Sequence, residues 1–473
     1  MMVTTILNLP TELILRTCQY MNDPKAIAAV ARTCRMFRQI ATPLLYRSIK
    51  LTNCQSAYAC CQTLAADSNQ ILAGYVISFE IGAFIMFNFT SQHHILFRRW
   101  LVWSIERMAN LRNFACRLHG SFGPDMCFAL SKRTSLMSLD ISLPESDQPQ
   151  YQEPPHKKWS HSALQPRFPR LLHFGFADVD ETLSNRTLSP KYHQFVRHML
   201  TSHRHSLRSI HIPCWIGREY CKLLIPPTLR LNVLHSLTIR ASAINLHMLT
   251  QMPHVKVLSI PMYEYRGLGG GGAVGIGDVS IPENVFPELE TYNGPCRYFE
   301  YFVRGRSIKR VQFDGSKDGF EEESVYAVNN QAVPSWDDVD DAIQLLRKSN
   351  ATVVHLSFYV KSMWFSDLYK DAIRRMYFLE SLSISLREDP KDINRLEILG
   401  KKFFSRLPFL HTFLLSDEPF FGYKGSRFSF ANDLKLQRAC LAKWNKRRPS
   451  LVKVSFTAFP SFVHLFSIEE VFI

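Results

Sequence analysis

Residues 206–212 read SLRSIHI, and closely related stretches recur as SLMSLDI at 135–141 and LHSLTI at 234–239. In each stretch apolar residues stand at offsets 0, 3 and 5, as Leu207, Ile210 and Ile212 do. The last two of these anchors alternate with polar residues, which is the period-two pattern of a strand with one buried face. The sequence therefore predicts a sheet that is built from many short, similar strands.

Fourteen such triplets begin between Tyr46 and Leu451, on average about 31 residues apart. Their second anchors are Ile49, Phe79, Phe114, Leu139, Phe174, Ile210, Leu237, Leu258, Tyr292, Val311, Leu356, Leu382, Phe413 and Val454. Five triplets carry a proline two residues before the first anchor, where it ends a helix and favours extended backbone. These prolines are Pro169, Pro253, Pro287, Pro408 and Pro449.

Helix-like stretches such as 97–110 and 192–202 precede several of the triplets. A helix followed by a short strand at a repeating interval resembles the leucine-rich repeat family. The resemblance implies an α/β solenoid with parallel strands on its concave side and helices on its convex side. An ordinary α/β domain with a parallel sheet remains the alternative.

In such an array the residues between and after the last two anchors point outward. They are polar at Ser138, Asp140, Ser142 and His211, which solubility alone would explain. Because Trp, Tyr and Arg dominate binding hot spots, the larger outward residues are candidates for a target platform. The predicted target platform consists of Trp215, Arg240, Tyr263, Tyr359, Lys361 and Arg387.

The first fifty residues have a different pattern, with apolar residues at helical spacing. We expect Thr11 to cap a first helix, which Asn22-Asp23-Pro24 ends, and a second helix over 25–32. A third segment covers 35–41, and Pro43 restarts a short helix through Leu45. Three short helices cannot bury enough surface to be stable alone, so they need a partner or must dock on the following chain.

These residues resemble an F-box, and the last part resembles the fungal variety. The resemblance rests on Leu9-Pro10-x-Glu12-Leu13-Ile14, Ile27, Cys34-Arg35-x-Phe37 and Ala41-x-Pro43-Leu44-Leu45-Tyr46. It implies binding to a Skp-type adaptor and, through that adaptor, to a cullin-based ubiquitin ligase. The adaptor-binding residues that it implies are Leu9, Pro10, Leu13, Ile14, Cys34 and Phe37. Alternatively, these side chains pack against the repeats.

The predicted domain organisation is an F-box domain at 1–50 and a divergent leucine-rich-repeat solenoid at 51–460. A Gly-rich loop at 266–278 and an acidic insertion at 314–341 interrupt the solenoid, and a tail covers 461–473.

Composition limits the classes of function. The chain has 473 residues, of which 46% are hydrophobic and 21% charged, so it can form a sizeable core. Its net charge of +15 favours anionic partners. Eleven cysteines without a C-x-x-C pair favour a reducing compartment, and no basic leader or long apolar run occurs. We therefore expect a cytoplasmic or nuclear protein, or both, with no membrane partner.

No motif predicts a catalytic, metal-binding or cofactor-binding site. Gly267–Gly272 fits G-x-G-x-x-G, but the pattern opens no helix that could hold a phosphate. The histidines at 193, 198, 203 and 205 lack the i, i+4 spacing of ligands on one helical face, so we expect solvated side chains. The basic run 443–448 suits a nuclear-import signal, a phosphate-binding patch or a basic helix end.

The pattern as a whole is typical of a non-catalytic substrate-receptor subunit of a Skp–cullin–F-box ubiquitin ligase that binds an unknown protein target. The alternative is a repeat scaffold or a nucleic-acid-associated binder that acts without a ligase, although nucleic acid is the less favoured partner. A hydrolase or transferase would require a Ser/His/Asp cluster, which cannot be paired from the sequence.

Overall fold

The computed structural model divides into two compact units, one mostly of residues 1–216 and one mostly of residues 230–473. It describes residues 9–21, 23–82, 91–118, 122–142, 166–177, 190–212, 224–239, 244, 246–260, 281–313, 344–346, 349, 351–360, 376–386, 404, 407–417, 434–447, 451–457 and 464–467.

The first unit begins with three helices and continues as helices alternating with strands. The helices are α1 (Thr11–Tyr20), α2 (Pro24–Ala31), α3 (Arg35–Arg47), α4 (Cys54–Ala65), α5 (Gln70–Gly74), α6 (Ser91–Arg107), α7 (Pro124–Ser131) and α8 (Pro190–Ser202). The strands are β1 (Ser48–Leu51), β2 (Ser78–Ile81), β3 (Asn113–Cys116), β4 (Ser138–Ser142), β5 (His173–Ala177) and β6 (Ser209–Ile212). Local capping explains two helix starts, because Asp23 accepts from the Lys25 N–H at 2.9 Å and Asn53 from the Ser56 N–H at 2.8 Å.

Strands outnumber helices in the described part of the second unit. Its strands are β7 (Ser236–Ile239), β8 (Val257–Ser259), β9 (Thr291–Gly294), β10 (Arg310–Phe313), β11 (His355–Val360), β12 (Ser381–Leu386), β13 (Thr412–Asp417), β14 (Lys453–Thr457) and β15 (His464–Ser467). Its helices are α9 (Leu246–Leu249), α10 (Cys296–Val303) and α11 (Leu434–Arg447).

The triplets predicted from the sequence set the register of the strand ladders in both units. In the first unit β1 to β6 pair in parallel and in chain order, so that Ile49 lies opposite Phe79 and Phe79 opposite Phe114. In the second unit β7 to β14 do the same. In each described ladder the second anchor of one triplet faces the second anchor of the next. The prediction of a parallel sheet with many strands is confirmed.

A repeated turn leads into most strands. The N–H of the first anchor donates to the carbonyl three residues earlier, as Leu111 does to Met108 and Leu136 to Arg133. The first and second anchors are buried in nearly every described triplet, so the core runs along the helix side of each sheet. Because the same hydrogen-bonded turn precedes most strands, the same spacing of the triplet anchors recurs over much of the chain.

One triplet keeps its geometry with a glycine as third anchor. A Cβ at Gly294 would lie 3.0 Å from the Tyr292 Oη and 3.1 Å from the Ile260 Cβ. Tyr292 is fully buried, and its hydroxyl donates to the Pro295 carbonyl at 2.8 Å. The tyrosine ring therefore fills the space that an aliphatic third anchor takes elsewhere.

Two local predictions were wrong. Thr11 does not cap α1, since Pro10 holds the capping position and the helix starts at Thr11 without a side-chain cap. The third and restarted helices are one helix, α3, with Pro43 inside it. Strand β15 lies in the predicted tail and pairs antiparallel with β14, a contact that a parallel repeat pattern does not contain.

Candidate functional site

The three N-terminal helices have a small core of their own. Ile14, Cys18 and Phe37 are buried together. Apolar residues from all three helices pack against them while remaining partly exposed, namely Met21, Val30, Cys34, Met36, Ile40 and Leu44. The predicted adaptor-binding residues Ile14 and Phe37 thus lie inside this core, and Cys34 is half-buried before α3.

Other apolar residues of the same segment face solvent. Leu9 is 40% exposed, Leu13 is 47% exposed and Tyr20 is 83% exposed, while Pro10 is also on the surface. Leu13 and Tyr20 are seven residues apart on α1 and therefore share one side of the helix. We call Leu9, Pro10, Leu13 and Tyr20 the apolar edge.

The sequence analysis did not single out Tyr20 or Leu15, both of which are exposed on α1. The heptad spacing from Leu13 to Tyr20 was the available signal, since it places both residues on one helical side. Thr17 lies between them and donates its hydroxyl to the Leu13 carbonyl at 2.8 Å, so it needs no partner from elsewhere.

Exposed basic side chains are frequent in the same segment. Exposed arginines and lysines in this segment outnumber the exposed acids Glu12 and Asp23. The basic residues are Arg16, Lys25, Arg32, Arg35, Arg38, Arg47 and Lys50. A surface that combines exposed apolar groups with positive charge suits an acidic partner that has an apolar groove.

The predicted target platform falls mostly outside the described residues. Trp215, Arg240, Tyr263, Lys361 and Arg387 are not described, and Tyr359 is described only as backbone within β11. The Gly-rich loop at 266–278 and the acidic insertion at 314–341 also lie outside the described residues.

Polar residues lie side by side on neighbouring strands of the first unit. Asp140 on β4 lies opposite Gly175 on β5, which lies opposite His211 on β6. Arg117, just after β3, pairs with Asp140 through two nitrogens, with distances from Nε and Nη2 to Oδ2 of 3.2 and 2.9 Å. Burial lowers the pKa of His211, the Asp140 charge opposes that shift, and the Arg117 charge adds to it. The structure thus brings together two of the outward polar residues that the sequence analysis names.

The histidine-rich segment is not wholly solvated as expected, since His203 is buried. Its Nδ1 donates to the Met199 carbonyl at 2.9 Å, and its Nε2 accepts from the Phe168 N–H at 3.2 Å. His198 instead contacts the Ser202 hydroxyl. His203 is therefore an internal structural residue, because a four-residue helical spacing brings it to the Met199 carbonyl.

The basic run near the C-terminus is a helix end with an internal aromatic. Trp444 on α11 is buried against Phe404 and Phe413, with ring centroids 5.1 and 5.8 Å apart. Lys443 and Lys446 stay exposed on the same helix. The aromatic in this run therefore contributes to the core.

Two surveys cover the described part of the chain. No group of three or more His, Cys, Asp or Glu side chains there could hold a metal ion. None of the helices described is both long and apolar enough to cross a membrane.

One protein-family model matches the segment that contains the three N-terminal helices. The F-box-like family model matches residues 6–52, which contain the whole helical core and the apolar edge. The match supports an F-box protein, and F-box domains generally bind Skp-type adaptors and serve in ligases as non-catalytic substrate adaptors. No curated protein matches the chain significantly.

Proposed function

We propose that this protein is a substrate-receptor subunit of a Skp–cullin–F-box ubiquitin ligase. The F-box-like match over residues 6–52 carries the proposal. The F-box domain, at 1–50, binds the adaptor, and the region at 51–460 holds a protein target. This chain supplies proximity rather than chemistry, since the ubiquitin transfer is performed by other subunits.

The proposal divides the implied adaptor-binding residues into two roles. Leu9, Pro10 and Leu13 are on the surface and would insert into the adaptor. Ile14 and Phe37 are buried, so they would act by holding α1 against α3. Covering an exposed leucine contributes about 1.5–3 kcal/mol, so a few anchors on the apolar edge suffice for a specific complex.

We propose that the sheets and helices after residue 51 form a divergent leucine-rich-repeat solenoid of the fungal F-box kind. The shared register of the triplets and the repeated turn support this assignment. A row of short parallel strands gives an extended surface on which a protein target can lie. We place the protein in the cytoplasm, the nucleus or both.

Co-purification with a Skp-type adaptor tests the adaptor role. Leu13→Asp should reduce recovery of the adaptor at least tenfold, because it places a charge in an apolar pocket without disturbing the helical core. Ile71→Asp is the matched control, since Ile71 is also an exposed aliphatic residue but lies on α5. Equal recovery by the wild type and Leu13→Asp would refute the role.

Phe37→Ala should also lose the adaptor, but through unfolding of the three helices. Removing a buried phenylalanine side chain lowers the free energy of unfolding by about 3–5 kcal/mol, which is more than so small a core can lose and remain folded. Circular dichroism should therefore show helix loss for Phe37→Ala and none for Leu13→Asp. Helix loss in both variants would mean that Leu13 is structural.

A second candidate function, nucleic-acid binding without a ligase, is favoured only by the net charge of +15. Such binding weakens steeply with salt because phosphate contacts release counterions. A titration with duplex and single-stranded DNA between 50 and about 200 mM salt decides between the two. Absence of binding at the lower concentration would remove this candidate.

A further inference from the structure

The residues that immediately precede strands β3 to β6 lie side by side in one row. They are Arg112, Met137, Leu172 and Arg208. The Arg112 carbonyl accepts from the Met137 N–H at 2.7 Å, and the Met137 carbonyl accepts from the Leu172 N–H at 2.8 Å. The Leu172 carbonyl accepts from the Arg208 N–H at 2.7 Å. These hydrogen bonds hold the four backbones in line across four neighbouring strands. We call the four residues the rim row.

The side chains of the rim row are basic at both ends and apolar between. Arg112 and Arg208 are exposed, whereas Met137 and Leu172 are half-buried and keep part of their surface open to solvent. Neither arginine forms an ion pair with any residue that the structure describes. An apolar centre between polar ends is the usual arrangement of a surface that binds another protein.

The surroundings of the rim row add further positive charge. Arg170 and Arg204 are exposed in the turns that lead to β5 and β6. The described residues between 107 and 212 contain two acids, Asp125 and Asp140, and each of them already pairs with an arginine. The positive charge of this part of the first unit therefore exceeds the negative charge, which favours an acidic partner.

The next position along each strand carries an uncharged polar side chain. Asn113, Ser138, His173 and Ser209 lie opposite one another in register. Burial lowers the pKa of His173 from 6.5, and the Arg208 charge lowers it further, so the ring is neutral at pH 7. This second row therefore leaves the arginine charges uncompensated.

The dimensions of the rim row suit an extended peptide. Neighbouring strands lie about 4.8 Å apart, so the backbones at Arg112 and Arg208 are separated by about 14 Å. An extended chain advances about 3.3 Å per residue, so two residues four positions apart span about 13 Å. Acidic side chains at this spacing can reach both arginines, while the residue midway between them covers Met137 and Leu172.

We propose that the rim row binds an extended acidic segment of the target protein, with carboxylates four residues apart on its two arginines and an apolar side chain midway on Met137 and Leu172. Guanidinium groups bind carboxylates through two parallel hydrogen bonds. Nucleic acid is the less suitable partner, because single strands stack their bases on aromatic side chains and none of the four residues is aromatic. The inference rests on the proposed target-holding role of this region and does not depend on adaptor binding.

The test measures how strongly pools of nonapeptides are retained on the immobilised full chain. The central positions read Glu-x-Leu-x-Glu, Gln-x-Leu-x-Gln, Lys-x-Leu-x-Lys or Glu-x-Ser-x-Glu, and all other positions are random uncharged residues. The first pool should be retained about tenfold more strongly than the glutamine and lysine pools, because only carboxylates pair with the two arginines. The serine pool should be retained about threefold less strongly than the first, because the apolar centre stays uncovered. Equal retention of the Glu-x-Leu-x-Glu and Gln-x-Leu-x-Gln pools would overturn the proposal, as would retention of no pool.

Two variants assign the binding to the rim row. Arg112→Gln and Arg208→Gln should each lower retention of the Glu-x-Leu-x-Glu pool by about fivefold or more, because each removes one charged hydrogen-bonding group. Both side chains are exposed, so the melting temperature should stay nearly unchanged. Arg304→Gln is the matched control, since it removes the same charge from an exposed position of the second unit.

The outcomes that would refute the rim row are distinct from failure of the adaptor role. An equal loss of retention with Arg304→Gln would show that net charge alone attracts the peptides. Loss of single-stranded DNA rather than of the acidic peptides in the two rim-row variants would make the row a nucleic-acid site. Unchanged peptide retention in both variants, with the adaptor still recovered in co-purification, would refute the rim row and leave the adaptor role intact.

Discussion

Arg306 shows how a single side chain can hold an irregular segment of this chain. It is 0% exposed, and its guanidinium donates to the carbonyls of Val285, Pro282 and Arg304 at 2.9, 2.8 and 3.1 Å. Burial lowers its pKa to about 10, against the opposing charge of Glu283. The same segment contains Phe286 at a φ of 55°, a strained backbone conformation that needs support from its surroundings.

Replacement of Arg306 should therefore destabilise the second unit. Arg306→Met leaves several buried carbonyls unpaired, and we expect a loss of about 3 kcal/mol in the free energy of unfolding. Urea denaturation followed by fluorescence measures it. Arg304→Met removes an exposed arginine two residues away and should change the free energy by less than about 0.5 kcal/mol. Similar losses in both variants would contradict the role given to Arg306.

His203 should make the stability of the first unit depend on pH. Burial lowers its pKa from 6.5, and the hydrogen bond that its Nδ1 donates to the Met199 carbonyl opposes that shift. Above pH 6.5 both states are neutral, whereas below it the unfolded chain binds a proton that the folded chain resists. The free energy of unfolding should thus decrease as pH falls from about 6.5 towards the lower folded-state pKa.

Comparing the wild type with a His203 variant separates the contribution of His203 to the pH dependence of stability from that of the other histidines. His203→Gln keeps a hydrogen-bonding side chain without a proton that titrates in this range. Thermal unfolding between pH 5 and 8 should show a weaker pH dependence for the variant than for the wild type. Parallel curves would show that His203 does not titrate on unfolding.

At the scale of the elements, helix α3 departs from its sequence signal. Pro43 lies inside Arg35–Arg47 and deprives the Gln39 carbonyl of its usual helical donor. The helix continues because Ala41 is buried and Leu44 packs on the three-helix core, which outweighs the local preference. Pro43→Ala should therefore raise the free energy of unfolding by about 1–3 kcal/mol. The melting temperature measures the change, and a decrease would show that the proline ring is needed for packing.

The strands, in contrast to α3, were predictable because their local sequence signal agrees with their packing. Each triplet encodes burial on one face of a short strand, and that local signal agrees with the observed ladders from Ile49 to Val454. Strand β15 was not predictable from the repeat, because its antiparallel pairing with β14 departs from the parallel pattern of the triplets. The sequence also could not show which of the predicted adaptor-binding residues are buried, since Ile14 and Leu13 are both aliphatic and only the packing of α1 on α3 separates them.

At the scale of the whole molecule, the chain joins two kinds of structure. The F-box-like helices have a small core and leave the apolar edge exposed to solvent, whereas the sheets after β1 bury long rows of anchors. Sequence reasoning identifies this division because helical and strand periodicities differ. It cannot identify the juxtaposition of Asp140, Gly175 and His211, which are brought together across three strands.

Hydrogen–deuterium exchange of the full chain, with and without a purified Skp-type adaptor, tests the central claim most directly. We expect the adaptor to slow amide exchange in residues 9–21 and 35–47, where the apolar edge and its supporting helix lie, and to leave residues 138–142 and 209–212 unchanged. Unchanged exchange in residues 9–21 at saturating adaptor, or protection confined to the sheet strands, would contradict the account.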